Sequence, residues 1–584
     1  MTAATVLLEL LAASIIAVVL GSAGSRLRRG LRIPVRPGLR LPVDFLLGCW
    51  ALAVVVLLLG LGHLWLPGAL LAALAALAIA GRWRRRGWAW AAAAPAALGA
   101  LVVLPAALPP PYFYDALVYH LGLPWQALLE RGLLPHPESV FSSFPPLAQL
   151  LAALPLSVDL VRAPALVHWC SFVVAGAAAG ALARELGAPR WAAWLASACL
   201  PLLPGHALVA ALPAAEGWAV AGVLAAATVV LAPRLRPGAA LLSGMLVGIA
   251  GASRLQGIPW AFLVVCVAIL RSRTQWRAGV LSLGGWLAGS APWWAKNLVL
   301  LGDPTAPLTW RREGMATLWR DAGSLLHGAR WRDGAAEVAT ALSPHAAYLL
   351  PLLLAAALAA LSVGNRRGRL AGLMAIAGFG AWAATGTLPR FLAPSVALLT
   401  ALAASAAARS RAGRWASTLG LGVTVLFGAV FNVQQLAAIG GLRLVRGTAA
   451  SVAPRWVSND PRPLFAAASA LPADARVLFV GEARGFGFPR RFIAPSQHDV
   501  SPLRAVLEGS ISPAVACGEL RRQGFTHLLV NWGELGRLAA DYPVAPWRDR
   551  AGWLRWSAFV SALGPPAIEA NGVQVFVLPV QSGP

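Results

Sequence analysis

Apolar runs of bilayer length, following one another with short polar breaks, constrain this chain more than any single motif. A helix that crosses the hydrocarbon core needs about 20 mostly apolar residues, a little fewer where the bilayer thins. Such runs occur at 3–20, 43–61, 65–81, 87–107, 164–183, 191–208, 217–232, 238–253, 258–271, 278–298, 346–363, 370–387, 391–408 and 415–435, so about fourteen spans are expected. Only 12% of the 584 residues are charged, against roughly 25% in a soluble domain, which excludes an ordinary soluble enzyme. Cys49, Cys170, Cys199, Cys266 and Cys517 are scattered and mostly apolar in setting, so neither a disulfide framework nor a thiolate metal site is indicated.

The net charge of +25 would suggest a nucleic-acid partner in a soluble protein, but its placement gives it another meaning. Lys and Arg in short loops mark the cytoplasmic side of a membrane. Here Arg26, Arg28, Arg29, Arg32, Arg36 and Arg40 follow the first run, Arg82, Arg84, Arg85 and Arg86 the third, and Arg184 and Arg190 the fifth. Arg234 and Arg236, then Arg271, Arg273 and Arg277, then Arg366, Arg367 and Arg369, then Arg409, Arg411 and Arg414 continue the alternation. These loops are expected in the cytoplasm, and no nucleic acid is expected as a partner. The N-terminus has no basic residue ahead of its first run, so it is expected outside, without the n-region of a cleaved signal peptide.

An even number of spans places the C-terminal segment outside as well. Three outward parts follow: loops at 108–163 and 299–345, and a polar domain at 439–584. In that domain strand-like runs at 476–481, 526–531 and 573–577 alternate with helical ones, for example at 502–508, which predicts a small α/β domain. Gly481, Gly485 and Gly487 follow the first strand without the spacing of a dinucleotide-binding turn and read as a plain loop. Long helical spans exclude an outer-membrane barrel. The preference for arginine fits a GC-rich bacterial genome, hence an inner-membrane protein whose C-terminal domain faces the periplasm or cell exterior.

Ionisable groups gather at the outward ends of the spans. Asp115 follows the fourth run among Tyr112, Tyr114, Tyr119 and Trp125. The residue types fit a general base at the membrane boundary and, equally, a helix cap within an interfacial aromatic belt. Tyr119, four residues on, is a helical neighbour of Asp115; His120, five residues on, shares that face only if the helix is distorted. Glu216 lies at the outward mouth of the seventh run, where a charge is a functional candidate before it is a dipole-stabilised terminus. Glu9 lies nearer a membrane end and is less informative. Arg254, Lys296 and Arg390 are also at outward span ends, and Lys296 is the only lysine in the chain. Cations at that depth suit the phosphate of a lipid carrier better than simple snorkelling. His120, His136, Glu138 and Glu216 offer ligand types for a divalent metal, but a site without metal or other cofactor is favoured, with 148–160 as a helix along the membrane surface.

A carboxylate that activates a hydroxyl acceptor, with cations on a departing phosphate, is a plausible chemistry for such groups. In chain order the same residues resemble the GT-C superfamily, the multi-span glycosyltransferases that use polyprenyl-phosphate sugars, and within it a bacterial branch of aminoarabinose transferases and protein O-mannosyltransferases. Asp115 matches the family's catalytic aspartate, and Tyr119-His120-Leu with Ser142-Ser-Phe-Pro-Pro146 is similar to that branch. Gly248-Ile-Ala-Gly-Ala-Ser-Arg254 resembles its Gly-x-Ala-x-x-x-Lys segment. Pro292-Trp-Trp-Ala-Lys296-Asn297, followed by Leu301-Gly-Asp-Pro304 and Pro307, resembles Pro-Trp-x-x-Lys/Arg-Asn and Thr-Gly-Asn-Pro, and Leu388-Pro-Arg390-Phe-x-x-Pro394 resembles Arg-Tyr-x-x-Pro.

The resemblance implies a GT-C-like catalytic part at 87–438, preceded by extra helices at 1–86. It implies inverting transfer of a sugar from a polyprenyl-phosphate donor to a glycan, lipid or protein acceptor. Asp115 would be the base, Arg254, Lys296 and Arg390 would bind donor phosphate, and Tyr119, His120 and Asn297 would contact substrate. Many relatives carry a second acid where this chain has Ala116, which leaves Glu216 to take part of that role. Two other classes remain: a transporter or flippase of a lipid-linked sugar, and a non-catalytic envelope assembly protein. A transporter predicts paired repeats and polar groups near the midplane, and no convincing repeat is present.

Overall fold

The computed structural model describes residues 3–81, 90–203, 206, 209–272, 275–308, 351–352, 354–359, 366–385, 389–438, 459–540, 542 and 544–580. The first part is helical: α1 (Ala3–Gly30), α2 (Arg40–Leu61), α3 (Pro67–Gly81), α4 (Trp90–Ala107), α5 (Gly122–Leu129), α6 (Leu147–Leu156), α7 (Ala163–Glu185) and α8 (Arg190–Leu202). It continues with α9 (Glu216–Val230), α10 (Pro237–Ser253), α11 (Gly257–Arg271), α12 (Gln275–Leu301), α13 (Arg366–Thr385), α14 (Ala393–Ala406) and α15 (Arg411–Ala438). Alanine and leucine fill these segments, residues that lose little freedom in a helix, while Pro or an arginine cluster stands at many of the boundaries.

Wherever residues are described, helix coincides with the expected runs, but not as fourteen uniform spans. Among the described residues only α1, α2, α7 and α15 have both the length and the apolarity to cross a membrane by themselves. α9 and α11 have 15 residues each, about 22 Å at 1.5 Å per residue, short of a core of about 30 Å. Glu216 stands at the first residue of α9, and Arg254 follows the last residue of α10, so both lie at helix ends. Most of the expected run at 346–363, and the loop beyond 308, lie outside the described residues. The helix expected near 148–160 exists as α6, and all ten of its residues are buried within the protein.

Small residues set the closest packing. A Cβ on Gly244 of α10 would stand 1.8 Å from the Ser282 carbonyl oxygen of α12, and one on Gly285 would stand 2.1 Å from that of Leu241. The two backbones therefore touch, as small-residue seams allow between membrane helices, and α12 is fixed in register against the helix that ends at Arg254.

The arginine-bearing loops meet at one end. Arg36 and Arg367 both bind Glu185, at 2.5 and 3.1 Å, at the C-terminus of α7. Arg271 donates to the Ala232 carbonyl and Arg366 to that of Leu270. Near the other end of this 23-residue helix His168 meets Gly217, beside Glu216, so the two groups of residues that the arginine pattern assigns to opposite sides are spatially separate.

The C-terminal part has α16 (Arg462–Ala467), β1 (Arg476–Val480), β2 (Arg491–Ile493), α17 (Pro502–Gly509), α18 (Pro513–Arg522), β3 (His527–Asn531), α19 (Trp532–Leu538), α20 (Arg550–Ala562), β4 (Ile568–Ala570) and β5 (Val573–Val577). The sheet order is β2-β1-β3-β5-β4. β1 is parallel to β2 and β3, with Leu478 beside Leu528, whereas β5 is antiparallel to β3, with Phe576 beside Leu528. Cores on both faces of the sheet confirm the predicted α/β domain. β2 and β4, three residues each, escaped the periodicity.

Candidate active site

Four remote segments bring carboxylates and guanidiniums together at the end of the helices opposite Glu185. Asp115 begins a π-helical turn, Ala116–His120, closed by Leu121 N–H donating to the Ala116 carbonyl at 2.9 Å. That turn is the distortion that residues five apart require. Tyr119 donates its hydroxyl to Asp115 Oδ2 at 3.3 Å, and burial raises the phenol's pKa far above its ordinary value, so it acts as a donor. His120 is buried beside Glu216, Arg254 and Arg390, and burial lowers its pKa well below the ordinary value. Its imidazole is therefore neutral.

Arg390 connects the two acids. Its Nη2 donates to Asp115 Oδ2 at 2.7 Å, and its Nε stands 3.6 Å from Glu216 Oε1. Glu216 opens α9, with Oε2 accepting from Ala215 N–H at 3.0 Å, while Oε1 also meets Arg254 Nη1. One carboxylate oxygen is thus shared by two guanidiniums. Phe391 lies under both, 4.6 Å from the Arg254 guanidinium carbon and 5.4 Å from that of Arg390, a stacking suited to planar cations. His168 completes the floor, its Nε2 accepting from Gly217 N–H at 3.1 Å.

Lys296 and Asn297 do something different. Lys296 Nζ, 3% exposed as a residue, donates to the carbonyls of Ser142 and Phe144, the latter at 3.0 Å. Asn297 Nδ2 donates to the Ser143 and Ala306 carbonyls at 2.9 and 2.7 Å, and Trp293 Nε1 to Ser143 at 2.9 Å. The Pro-Trp-Trp-Ala-Lys-Asn stretch therefore clamps the Ser142–Phe144 turn of the outward loop. The expected donor cation among these residues is engaged by main-chain oxygens, which a side-chain pattern does not display.

His136 Nδ1 and Glu138 Oε1 bond to each other at 2.9 Å. Among the described residues no three His, Cys, Asp or Glu side chains gather as a metal site. Glu9, set aside in the sequence, is 1% exposed and holds the start of α7: Oε2 accepts from the N–H groups of Arg162 and Ala163 at 2.5 and 3.0 Å, and Oε1 meets Arg162 Nη1 at 3.2 Å. Its one sequence signal was a carboxylate inside an apolar run.

The C-terminal domain sits against the loop at 108–163. Phe486 N–H donates to Leu117 O at 3.1 Å, Trp125 Nε1 to Phe488 O at 2.8 Å and Gln126 Nε2 to Phe492 O at 2.9 Å. Asp499, 5% exposed, accepts from Val140 N–H at 3.0 Å and from Ser496. The loop carrying Gly485 and Gly487 belongs to this contact: a Cβ on Gly485 would stand 2.1 Å from the Phe492 ring.

No family model and no curated protein matches the chain. Among solved structures it is similar to ArnT from Cupriavidus metallidurans. In the apo state that protein matches at 15% identity over 84% of this chain and 98% of the other, with a TM-score of 0.49. Bound to undecaprenyl phosphate, it matches over 85% and 99% with a TM-score of 0.47. The Archaeoglobus fulgidus oligosaccharyltransferase in complex with Zn and sulfate is similar at 13% identity over 77% of this chain and 69% of that one, with a TM-score of 0.44. Overlaps at this level leave the chemistry to be read from the side chains.

Proposed function

We propose that this chain is a GT-C-type membrane glycosyltransferase. It transfers a sugar, with inversion, from a polyprenyl-phosphate donor to a hydroxyl of an envelope glycan, lipid or protein at the outward face of a bacterial inner membrane. The observation that carries the reading is the meeting of Asp115, Glu216, Arg254 and Arg390, from four distant segments, in one cluster at the outward end of the helices. The catalytic part is 87–438, the helices of 1–86 pack beside it, and 439–584 forms the outward domain over the loop.

Asp115 is the general base. As the acceptor oxygen bonds to the anomeric carbon, its proton passes to the Asp115 carboxylate. The bond from that carbon to the phosphate oxygen breaks on the opposite face, and its electron pair leaves on the phosphate. Arg254 and Arg390 receive that charge. Among the described residues Arg390 makes one hydrogen bond, to Asp115, which leaves most of the guanidinium's five N–H donors for a phosphate. Glu216 holds both arginines side by side, Tyr119 and His120 line the acceptor side, and Lys296 and Asn297 act by fixing the Ser142–Phe144 turn. Cation chemistry that a divalent ion supplies elsewhere falls to the two arginines, so turnover is expected to survive a chelator.

The test is transfer of labelled sugar from a panel of polyprenyl-phosphate sugars by the purified chain in lipid. Asp115→Asn is expected to lower turnover by about 10²- to 10⁴-fold with donor binding retained. Unchanged turnover in that variant would remove Asp115 from the reaction, and movement of an intact lipid-linked sugar across the bilayer would favour a flippase.

A further inference from the structure

At the arginine-rich end, far from Asp115, the helices α7, α8, α9 and α10 and the segment after α1 surround a cavity of about 1280 Å³. Its rim carries Arg32, Arg184, Arg190, Arg234 and Arg236, and its wall includes Trp194. The surplus of cations is not balanced internally. Among the described residues Glu185 is the only acid lining the cavity, and it is already bound by Arg36 and Arg367. Arg32, Arg234 and Arg236 have no carboxylate partner among the described residues. Arg190 lies 4.8 Å over Trp194, which still remains 45% exposed. A half-bare indole beside unpaired guanidiniums is a surface with one oily and one anion-seeking side.

Cations that merely reach for water would point away from one another; here six of them, Arg36 included, ring a space with alanine, valine and leucine walls. Free phosphate would satisfy the rim and leave those walls wet. A neutral apolar chain would do the reverse. Basic pockets between membrane helices on the cytoplasmic side accept anionic head groups, and arginine binds phosphate oxygens through two parallel N–H bonds. The volume exceeds the range of about 300–1,000 Å³ that suits compact small molecules; it fits a head group together with the upper part of its chains.

We propose that this cavity binds one anionic phospholipid of the surrounding leaflet, its phosphate in the arginine rim and its chains along Trp194. The site is separate from the proposed transfer reaction and does not depend on it.

The experiment is native mass spectrometry of the full chain in neutral detergent, with phosphatidylglycerol, phosphatidylcholine or a polyprenyl phosphate supplied as single lipids. Wild type is expected to retain one phosphatidylglycerol with at least about tenfold preference over phosphatidylcholine. The triple variant Arg184→Gln/Arg234→Gln/Arg236→Gln is expected to lose that preference. Trp194→Ala, which leaves the charge unchanged, is expected to weaken retention of both phospholipids while wild-type selectivity between them persists. Millimolar inorganic phosphate is not expected to displace the lipid. The proposal is overturned by equal retention of the two phospholipids in wild type, by undiminished preference in the triple variant, or by full displacement with inorganic phosphate, which would mark a simple anion site. A polyprenyl phosphate retained in preference to phosphatidylglycerol, and lost in the triple variant, would reassign the cavity to a carrier lipid.

Discussion

Two arginines share one oxygen of Glu216, and this sharing makes the residue more than a helix-terminal acid. Its side chain is 4% exposed, against 12% for Arg254 and 22% for Arg390. Removing one partner from a buried ion pair costs about 3–5 kcal/mol, since the other charge is left without compensation. Glu216→Gln is therefore expected to lower the thermal midpoint of the purified chain and to weaken donor binding together with turnover; an unchanged midpoint would show that the arginines find other partners. The sequence disclosed these residues because an ionisable group in an apolar run stands out. The same rule singled out Lys296 but did not disclose its partners. The partners of Lys296 are the Ser142 and Phe144 carbonyls, and every residue has a carbonyl, so nothing in the letters distinguishes these two.

At the scale of the element, the turn after Asp115 was half legible. Spacing of four predicted the Tyr119 contact, and the same arithmetic left His120 out unless the helix was distorted. The π-helical turn supplies that distortion, and no residue type announces it in advance. The start of α7 was illegible for another reason. It has no Ser, Thr, Asp or Asn cap of its own, and its free N–H groups are taken by Glu9 from more than 150 residues away. Loss of an N-cap costs about 0.5–2 kcal/mol, and Arg162, 2% exposed, would lose its carboxylate as well. Glu9→Ala is expected to cost at least about 2 kcal/mol, read as earlier thermal inactivation. Glu9→Gln, which keeps an acceptor oxygen but not the charge, is expected to lie between it and wild type. Equal midpoints for all three would mean that α1 does not secure α7.

For the whole molecule, the seam between the loop at 108–163 and the C-terminal domain is expected to respond to pH. Burial pushes the Asp499 carboxyl up to about 7, although hydrogen bonds from Ser496 and Val140 favour its anion and the nearby Glu138 adds to the rise. An unfolded aspartate titrates near about 3.9. The folded chain therefore keeps a proton over a range in which the unfolded chain has released it. This contribution to stability is full below about pH 4 and is lost as pH rises through about 7. Asp499→Asn is expected to flatten that part of the pH profile in a thermal-midpoint series and to slow proteolysis between the two parts at alkaline pH; a profile with the wild-type slope would assign it to other groups. The domain itself was legible from three strand-like runs, but its docking was not, because Asp499 meets the main chain at Val140.

Among the described residues, hydrogen bonds across that seam meet peptide groups at Leu117 O, Pro111 O, Phe488 O, Phe492 O and the Val140 N–H, while side chains pair at Arg491 with Glu130 and pack at Trp125 against Phe486. A carbonyl survives any substitution at its own position, but apart from the Phe486–Leu117 bond each of these also needs one particular side chain: Trp125, Gln126, Arg462 or Asp499. A tail domain taken from a distant relative is therefore expected to seat on this membrane part only where it brings counterparts of Arg462 and Asp499 to meet it, which names the residues a hybrid has to keep.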